Sequence, residues 1–370
     1  MVRRLSTSAL LAAILALSGC HLIFRYEDRP PDSGVPVPDL PAGSEAGPSD
    51  QGPDQDSQLD AAGPPDLEIK LDQAGSRWTS LSSSILKTTV YGIWGASTKE
   101  IYLAMGDGSV KRYGGGGKFS TLLTSNIYPL YALAPLGSSD FIAVGYGGAV
   151  RICDRLTQLC SLADPPPSND AANYYWTGVW CSTGGTCYLA GFNKTEGGLF
   201  KRSGSNWTGL CGSLISEPVK AVWGVSDNQV YAAGSDGKIF RYSAKDGCKV
   251  VHASSTVNPF TALWASSTGV LAVGQMKGTT NGAGVWMVSG KPNPMGVATY
   301  PTLRAVSGLS NKVMVLAGDN GTALWFDGTT ITNLKPPKVS GKNPSLYSTW
   351  ISPSGEIFMG GPSGVLLHYK

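Results

Sequence analysis

The chain has 370 residues with 48 glycines, 24 prolines, 15% charged side chains and a net charge of +3. So much glycine with so little charge fits a turn-rich β protein, and the length bounds the answer to two domains or one large all-β domain. The near-neutral total conceals a division, because residues 21 to 75 carry −9 while residues 76 to 370 carry +10.

The chain begins with a positive start at Arg3 and Arg4, an apolar run from residue 9 to residue 17, and then Leu17-Ser18-Gly19-Cys20. The run is too short to span a membrane as a stable helix. The box before the cysteine resembles a bacterial lipoprotein signal. That resemblance implies removal of residues 1 to 19 and lipidation of Cys20, and His21 in place of Asp implies outer-membrane sorting in a Gram-negative envelope. Residues 20 to 75 follow as a lipidated cysteine and an acidic Pro/Asp-rich tether, with almost no aromatic residue after Tyr26. Such a segment cannot bury a core and is expected to be disordered, with a mean reach of about 40 Å. The opposed charges of tether and domain keep both soluble, or they let the basic domain meet an anionic partner for which the tether competes. Nucleic acid does not suit this address.

From residue 76 onward the sequence repeats. The stretch Ala221-Val222-Trp223-Gly224 leads into a polar turn, an alternating strand around Val230 and Ala232, a Gly234-Ser235-Asp236-Gly237 turn, and a further strand through Ile239 to Tyr242. Edited copies place Trp94, Ala134, Trp180, Trp223, Trp264, Ser307 and Trp350 at one equivalent position, with spacings of 40 to 46 residues. Seven units of that period predict an all-β, seven-bladed propeller of four-stranded antiparallel blades over residues 76 to 370. Glycine turns recur as Gly106/Gly108, Gly145/Gly147, Gly234/Gly237, Gly318/Gly321 and Gly361/Gly364, as tight hairpins needing positive φ require. The last unit stops after its third strand, and Arg77-Trp78-Thr79-Ser80-Leu81 supplies the missing fourth, so the N-terminal strand is expected to close the ring. The Trp-Gly, Val-Tyr-Ala-x-Gly and Gly-x-Ile-x-x-Tyr elements resemble a repeat of predicted myxobacterial lipoproteins and, more distantly, the BNR and photosystem II assembly-factor propellers. No Trp-Asp dipeptide occurs, which argues against the WD40 class.

Six cysteines remain after Cys20, in a compartment that permits disulfides. Cys153 with Cys160 and Cys181 with Cys187 each flank a short turn and can bridge a hairpin. Cys211 and Cys248 are then left by elimination; they sit at opposite ends of equivalent outer strands, so their pairing stays open. The histidines of the domain are His252 and His368, and no Cys-x-x-Cys pair occurs, so neither a metal nor another cofactor is expected.

Two sets of residues are candidates for binding. Long connections crowd one face of the propeller: residues 161 to 176 with Tyr174, Tyr175 and Trp176, residues 193 to 198, residues 277 to 284, and residues 335 to 346 with Lys335, Lys338 and Lys342. Long loops on a rigid scaffold commonly carry function. The second set is one position near the start of each innermost strand, occupied by Tyr91, Tyr131, Thr177, Lys220, Thr261, Arg304 and Tyr347. It should ring the channel mouth, where tyrosines with a lysine and an arginine suit a glycan or a carboxylate. Packing between blades is the plainer account of the same residues, as it is of the repeated tryptophans.

A sialidase-like reaction would need an Asp/Glu pair, or a Tyr-Glu pair with arginines, converging on one pocket. The channel-mouth position holds no acid, and Asp319-Asn320-Gly321-Thr322 lies between the wrong strands for an Asp-box and lacks its leading Ser. No nucleophile elbow, His-Glu-x-x-His or phosphate loop is present. The expectation is therefore a lipid-anchored, monomeric envelope protein whose propeller binds a protein or anionic glycan without catalysis. The alternatives are a glycan-processing hydrolase or lyase and a structural envelope component.

Overall fold

Each repeat unit folds as an antiparallel meander, its strands cut to length by the polar and glycine turns that separate them. The computed structural model describes residues 77–81, 83–124, 128–167, 173–194 and 196–370. The signal segment, Cys20 and the tether lie outside these residues.

A short strand β1 (Trp78–Ser80) precedes the first complete blade, which consists of β2 (Val90–Ser97), β3 (Glu100–Met105), β4 (Val110–Tyr113) and β5 (Phe119–Leu123). Blade two has β6 (Leu130–Leu136), β7 (Asp140–Gly145), β8 (Val150–Asp154) and β9 (Leu159–Leu162). Blade three has β10 (Tyr175–Cys181), β11 (Cys187–Phe192), β12 (Gly197–Ser203) and β13 (Asn206–Leu210). Blade four has β14 (Val219–Ser226), β15 (Gln229–Gly234), β16 (Lys238–Ser243) and β17 (Gly247–Ala253). Blade five has β18 (Val257–Ala265), β19 (Gly269–Met276), β20 (Gly282–Val288) and β21 (Lys291–Pro294). Blade six has β22 (Leu303–Ser310), β23 (Val313–Gly318), β24 (Thr322–Phe326) and β25 (Ile331–Asn333). Blade seven has β26 (Ser348–Ile351), β27 (Ile357–Gly360) and β28 (Leu366–Tyr369), and β1 completes it. The described residues thus form seven four-stranded antiparallel sheets, and the first strands of successive blades touch around a closed circle, β26 against β2 included. This is the seven-bladed propeller that the repeat predicts.

The ring closes as the chain ends require. Trp78 pairs with Tyr369, Thr79 with His368 and Ser80 with Leu367. Trp78 is buried, its ring lies edge-on to Tyr369 at 5.0 Å, and its indole N–H donates to the Leu334 carbonyl of blade six at 2.9 Å.

The second and third strands supply most of the core as near-continuous apolar runs, such as Ile101 to Met105 and Val313 to Ala317, because blades cover both of their faces. The repeated tryptophans lie between blades, as expected. A Cβ added to Gly95 would meet the Trp350 ring at 2.7 Å, one on Gly224 the Trp180 ring at 2.3 Å, and one on Gly308 the Trp264 ring at 2.7 Å. The Trp-Gly pair is therefore read across two blades: the glycine leaves room for the indole of the preceding unit. Where that unit has Ala134 or Ser307 instead, the facing position carries the larger Cys181 or Ile351. Ile351 takes up the space, and its N–H donates to the Ser307 hydroxyl at 3.3 Å.

Three disulfides are present. Cys153–Cys160 joins β8 to β9, and Cys181–Cys187 joins β10 to β11. Cys211–Cys248, with Cα atoms 5.1 Å apart, ties the rims of blades three and four. Twist accumulated over four strands tilts the outer strands across the rim, which lets the end of one reach the start of the next. This bridge closes a separation of 37 residues, which on loop-closure entropy alone contributes about 4 kcal/mol.

Burial holds the imidazoles of His252 and His368 below their ordinary value. At His368 it outweighs the opposing hydrogen bond to Glu356 at 2.6 Å, and the charge of Lys370 adds to the depression. The folded state then binds fewer protons than the unfolded chain below the free imidazole value of about 6.5, so this contribution to stability is complete above that pH and is lost as pH falls through the depressed values. The melting temperature should fall between pH 7 and pH 5, and less so in His368→Gln. A rise over that interval would contradict the assignment.

Candidate binding site at the channel mouth

The innermost strands share one interruption near their start. Along the ladders between first and second strands the register skips a single residue in six blades, and the skipped residues are Tyr91, Tyr131, Thr177, Lys220, Thr261 and Arg304. In blade seven Tyr347 stands at the same point, immediately before β26, with its N–H on the Gly360 carbonyl at 2.7 Å. A β-bulge frees one residue from the pleat and re-aims its side chain. Six of the seven channel-mouth positions read from the repeat are thus bulge positions, and the seventh, Tyr347, directly precedes its strand.

The glycines ending the second strands serve this bulge. Gly108, Gly147, Gly237, Gly321 and Gly364 have φ between 68° and 76°, as a tight turn demands. Their upstream partners Gly145, Gly234 and Gly318 do not have positive φ. A Cβ on Gly145 would stand 2.0 Å from the Pro129 carbonyl, on Gly234 2.0 Å from that of Pro218, and on Gly318 2.5 Å from that of Thr302. The expectation that these upstream glycines answer to turn dihedrals is corrected: they let the main chain just ahead of the bulge lie against the second strand. The residue after each glycine then donates its N–H to that same carbonyl, from Tyr146 to Pro129, Ser235 to Pro218 and Asp319 to Thr302, each at 2.9 Å.

The re-aimed side chains touch one another around the mouth. The Arg304 guanidinium lies 5.7 Å from the Tyr347 ring, Tyr347 stacks on Tyr91 at 6.0 Å, and Tyr91 meets Tyr131 edge-on at 5.2 Å. The arc continues through Tyr131 on Tyr175 at 6.4 Å and Tyr175 on Phe192 at 5.3 Å, and ends with the Lys220 ammonium 5.3 Å over the Phe192 ring. Tyr146 packs on the far side of Tyr175 at 4.5 Å. Thr177 and Thr261 complete the circle but use their hydroxyls on main-chain carbonyls of the next blade, Val219 at 3.4 Å and Leu303 at 2.7 Å. They are seam residues more than ligand-facing ones.

The charges are unequal. Arg304 is clamped by Asp319, Nε to Oδ1 at 3.0 Å and Nη2 to Oδ2 at 2.7 Å, so the pair is nearly neutral. Lys220 has no carboxylate partner among the described residues, and burial, helped by the nearby Arg304 charge, holds its ammonium below the ordinary lysine value. The Tyr131 phenol is pushed well above its usual value by burial and by the neighbouring tyrosines. The mouth is a half-buried aromatic arc enclosing one net positive charge.

The face-loop candidates divide. Tyr175 joins the arc, but Tyr174 and Trp176, at 1% and 0% exposure, are core and not surface ligands: they stack on each other at 4.2 Å and pack against Phe200. Strand alternation sends neighbours to opposite faces, so the three aromatics could not act together. Lys335, Lys338 and Lys342 stand on the connection from β25 to β26 and take no part in the ring contacts of the arc. The repeat reading missed Tyr146, Phe192 and Asp319, which all follow a second-strand glycine and form an aligned, variable position of their own. Among the described residues no group of three or more His, Cys, Asp or Glu side chains could hold a metal ion.

No protein-family profile and no curated protein sequence matches the chain. Its fold matches solved propellers. YCF48 bound to D1 peptide superposes with a TM-score of 0.61 at 14% identity, over 80% of this chain and 96% of the other. The WD40 propeller domain of Doa1 gives 0.60 at 12%, over 79% and 95%. A catalytically inactive variant of virginiamycin B lyase from Staphylococcus aureus with quinupristin gives 0.65 at 10%, over 79% and 98%. At such identities the likeness is one of fold alone.

Proposed function

We propose that the chain is a binding or scaffolding protein whose channel mouth receives a protein or anionic glycan partner, and that lipid on Cys20 holds it at an envelope membrane, the outer one in a Gram-negative cell. The carrying observation is the Lys220 ammonium, without a carboxylate partner among the described residues, over Phe192 at the end of the aromatic arc, since an unpartnered charge drawn into a half-buried site favours a ligand that completes it. A peptide on YCF48 and quinupristin on the lyase are bound ligands among propellers of this shape, and the peptide supports the protein kind of occupant. The lyase also keeps a catalytic alternative in view. What favours binding is that among the described residues Asp319 is the carboxylate paired to a channel-mouth side chain and Arg304 holds both of its oxygens, whereas glycan cleavage by paired carboxyls needs a second acid facing the same bond.

The test uses the full chain, with and without Cys20→Ser, against arrays of envelope glycans and lipopolysaccharides and against co-purified envelope proteins. Lys220→Ala with Arg304→Ala should abolish retention of the partner, and Cys20→Ser should shift the chain from membrane to soluble fractions. Retention unchanged in the double variant would exclude the mouth as the binding site. A Cys20→Ser chain still found with membranes would exclude the anchor.

A further inference from the structure

We infer that the occupant of the channel mouth is a sugar bearing a single carboxylate, a uronate, with its carboxylate on Lys220 and its ring against the tyrosine arc. The inference rests on the mouth being the binding site and names the ligand class that its chemistry selects.

Charge comes first. Both Asp319 oxygens are engaged by Arg304, which cancels one positive charge, and of the seven channel-mouth positions Lys220 is left as the cation without a carboxylate partner among the described residues. A phosphate or sulfate cluster would bring more negative charge than the ring can neutralise, with no second cation whose fork is open to it. One carboxylate matches. Its arrival also relieves the cost of holding an ammonium away from water.

Hydrogen-bonding capacity comes second. The phenol oxygens of Tyr131, Tyr175 and Tyr347 have no hydrogen-bond partner among the described residues, and all three side chains are half-buried and not sealed in the core. Three unengaged hydroxyls set around a circle suit a molecule with hydroxyls around its own rim. A pyranose has that form, and its C–H face packs on aromatic rings. An extended acidic peptide presents donors and acceptors along a line, which suits a groove better than a ring of bulge residues. The threonines at the remaining positions are turned to the main chain, so the polar contacts gather on the aromatic half of the mouth and on Lys220.

Calorimetry on the full chain tests this with a methyl galacturonoside, its methyl ester, the neutral methyl galactoside and a short peptide carrying one glutamate. The galacturonoside should bind, and both esterification and Lys220→Met should weaken it by about tenfold or more, as loss of a charge-assisted hydrogen bond implies. Tyr131→Phe should weaken it by about fivefold. Binding of the glutamate peptide in place of the uronate would overturn the sugar assignment and leave the mouth as the site. Equal affinity for acid and ester, or no binding of the acid, overturns the inference on the unmodified protein. Uronate binding untouched by either substitution would place the sugar elsewhere and remove both readings.

Discussion

Deleting residues 76 to 83 should lower the melting temperature by more than about 10 °C, while deleting residues 24 to 70 should leave it unchanged. The effect is large because β1 does three things at once. It covers the open edge of β28 with three register pairs, and the Leu81 N–H extends the pairing to the Leu366 carbonyl at 2.8 Å. It buries Trp78, and through the indole N–H to Leu334 it ties blade seven to blade six. Loss of a buried tryptophan alone costs about 3–5 kcal/mol, and a domain of this size loses roughly 2–4 °C per kcal/mol. Trp78→Ala should therefore reproduce much of the deletion. Thermal melts followed by circular dichroism decide the matter, and equal midpoints for the intact chain and the 76 to 83 deletion would sink the closure.

Gly234→Ala should cost about 3 kcal/mol and also disturb the mouth. The added methyl would stand 2.0 Å from the Pro218 carbonyl and 2.9 Å from the Val219 Cα, which are main-chain atoms that cannot swing away. Relief requires the segment ahead of Lys220 to lift, which breaks the Ser235 N–H bond to Pro218 at 2.9 Å and moves the bulge. Gly204 is the control. Its φ is 60° and nothing lies within 4 Å of an added Cβ, so Gly204→Ala carries only left-handed strain, about 1–2 kcal/mol. Chemical denaturation should rank Gly234→Ala well below Gly204→Ala in stability, and ligand affinity should drop in the first alone. Equal losses in both would mean that backbone conformation, not close approach, explains Gly234.

The propeller was legible because repetition multiplies a weak signal. One alternating strand around Val230 and Ala232 says little, but seven aligned tryptophan or small-residue positions and a terminal strand without a partner leave one architecture. The bulge was not legible. Repeat alignment located Tyr91 through Tyr347 as equivalent, yet only the register skip shows why these side chains leave the pleat. Tyr174 and Trp176 misled for the converse reason, since a cluster of aromatics beside a long connection looks like a surface until alternation assigns each ring a side. The pairing of Cys211 with Cys248 depended on the tilt of the outer strands, which periodicity does not encode. Arg304 and Asp319 are 15 residues apart in sequence and meet only because bulge and turn lie at the same end of the blade.

The pairing of bulk with space at the seams has a genealogical consequence. An array of interchangeable units can gain or lose a copy by unequal recombination. Here the seams are keyed: Trp180 needs Gly224, Trp264 needs Gly308, and Trp350 needs Gly95, whereas Ser307 is matched by Ile351. A unit carried to another place would drive Ile351 against an indole or leave Gly224 facing an emptied slot. Unequal side-chain sizes at these seams make the units numbered parts, and a copy removed or duplicated there would meet the wrong neighbour.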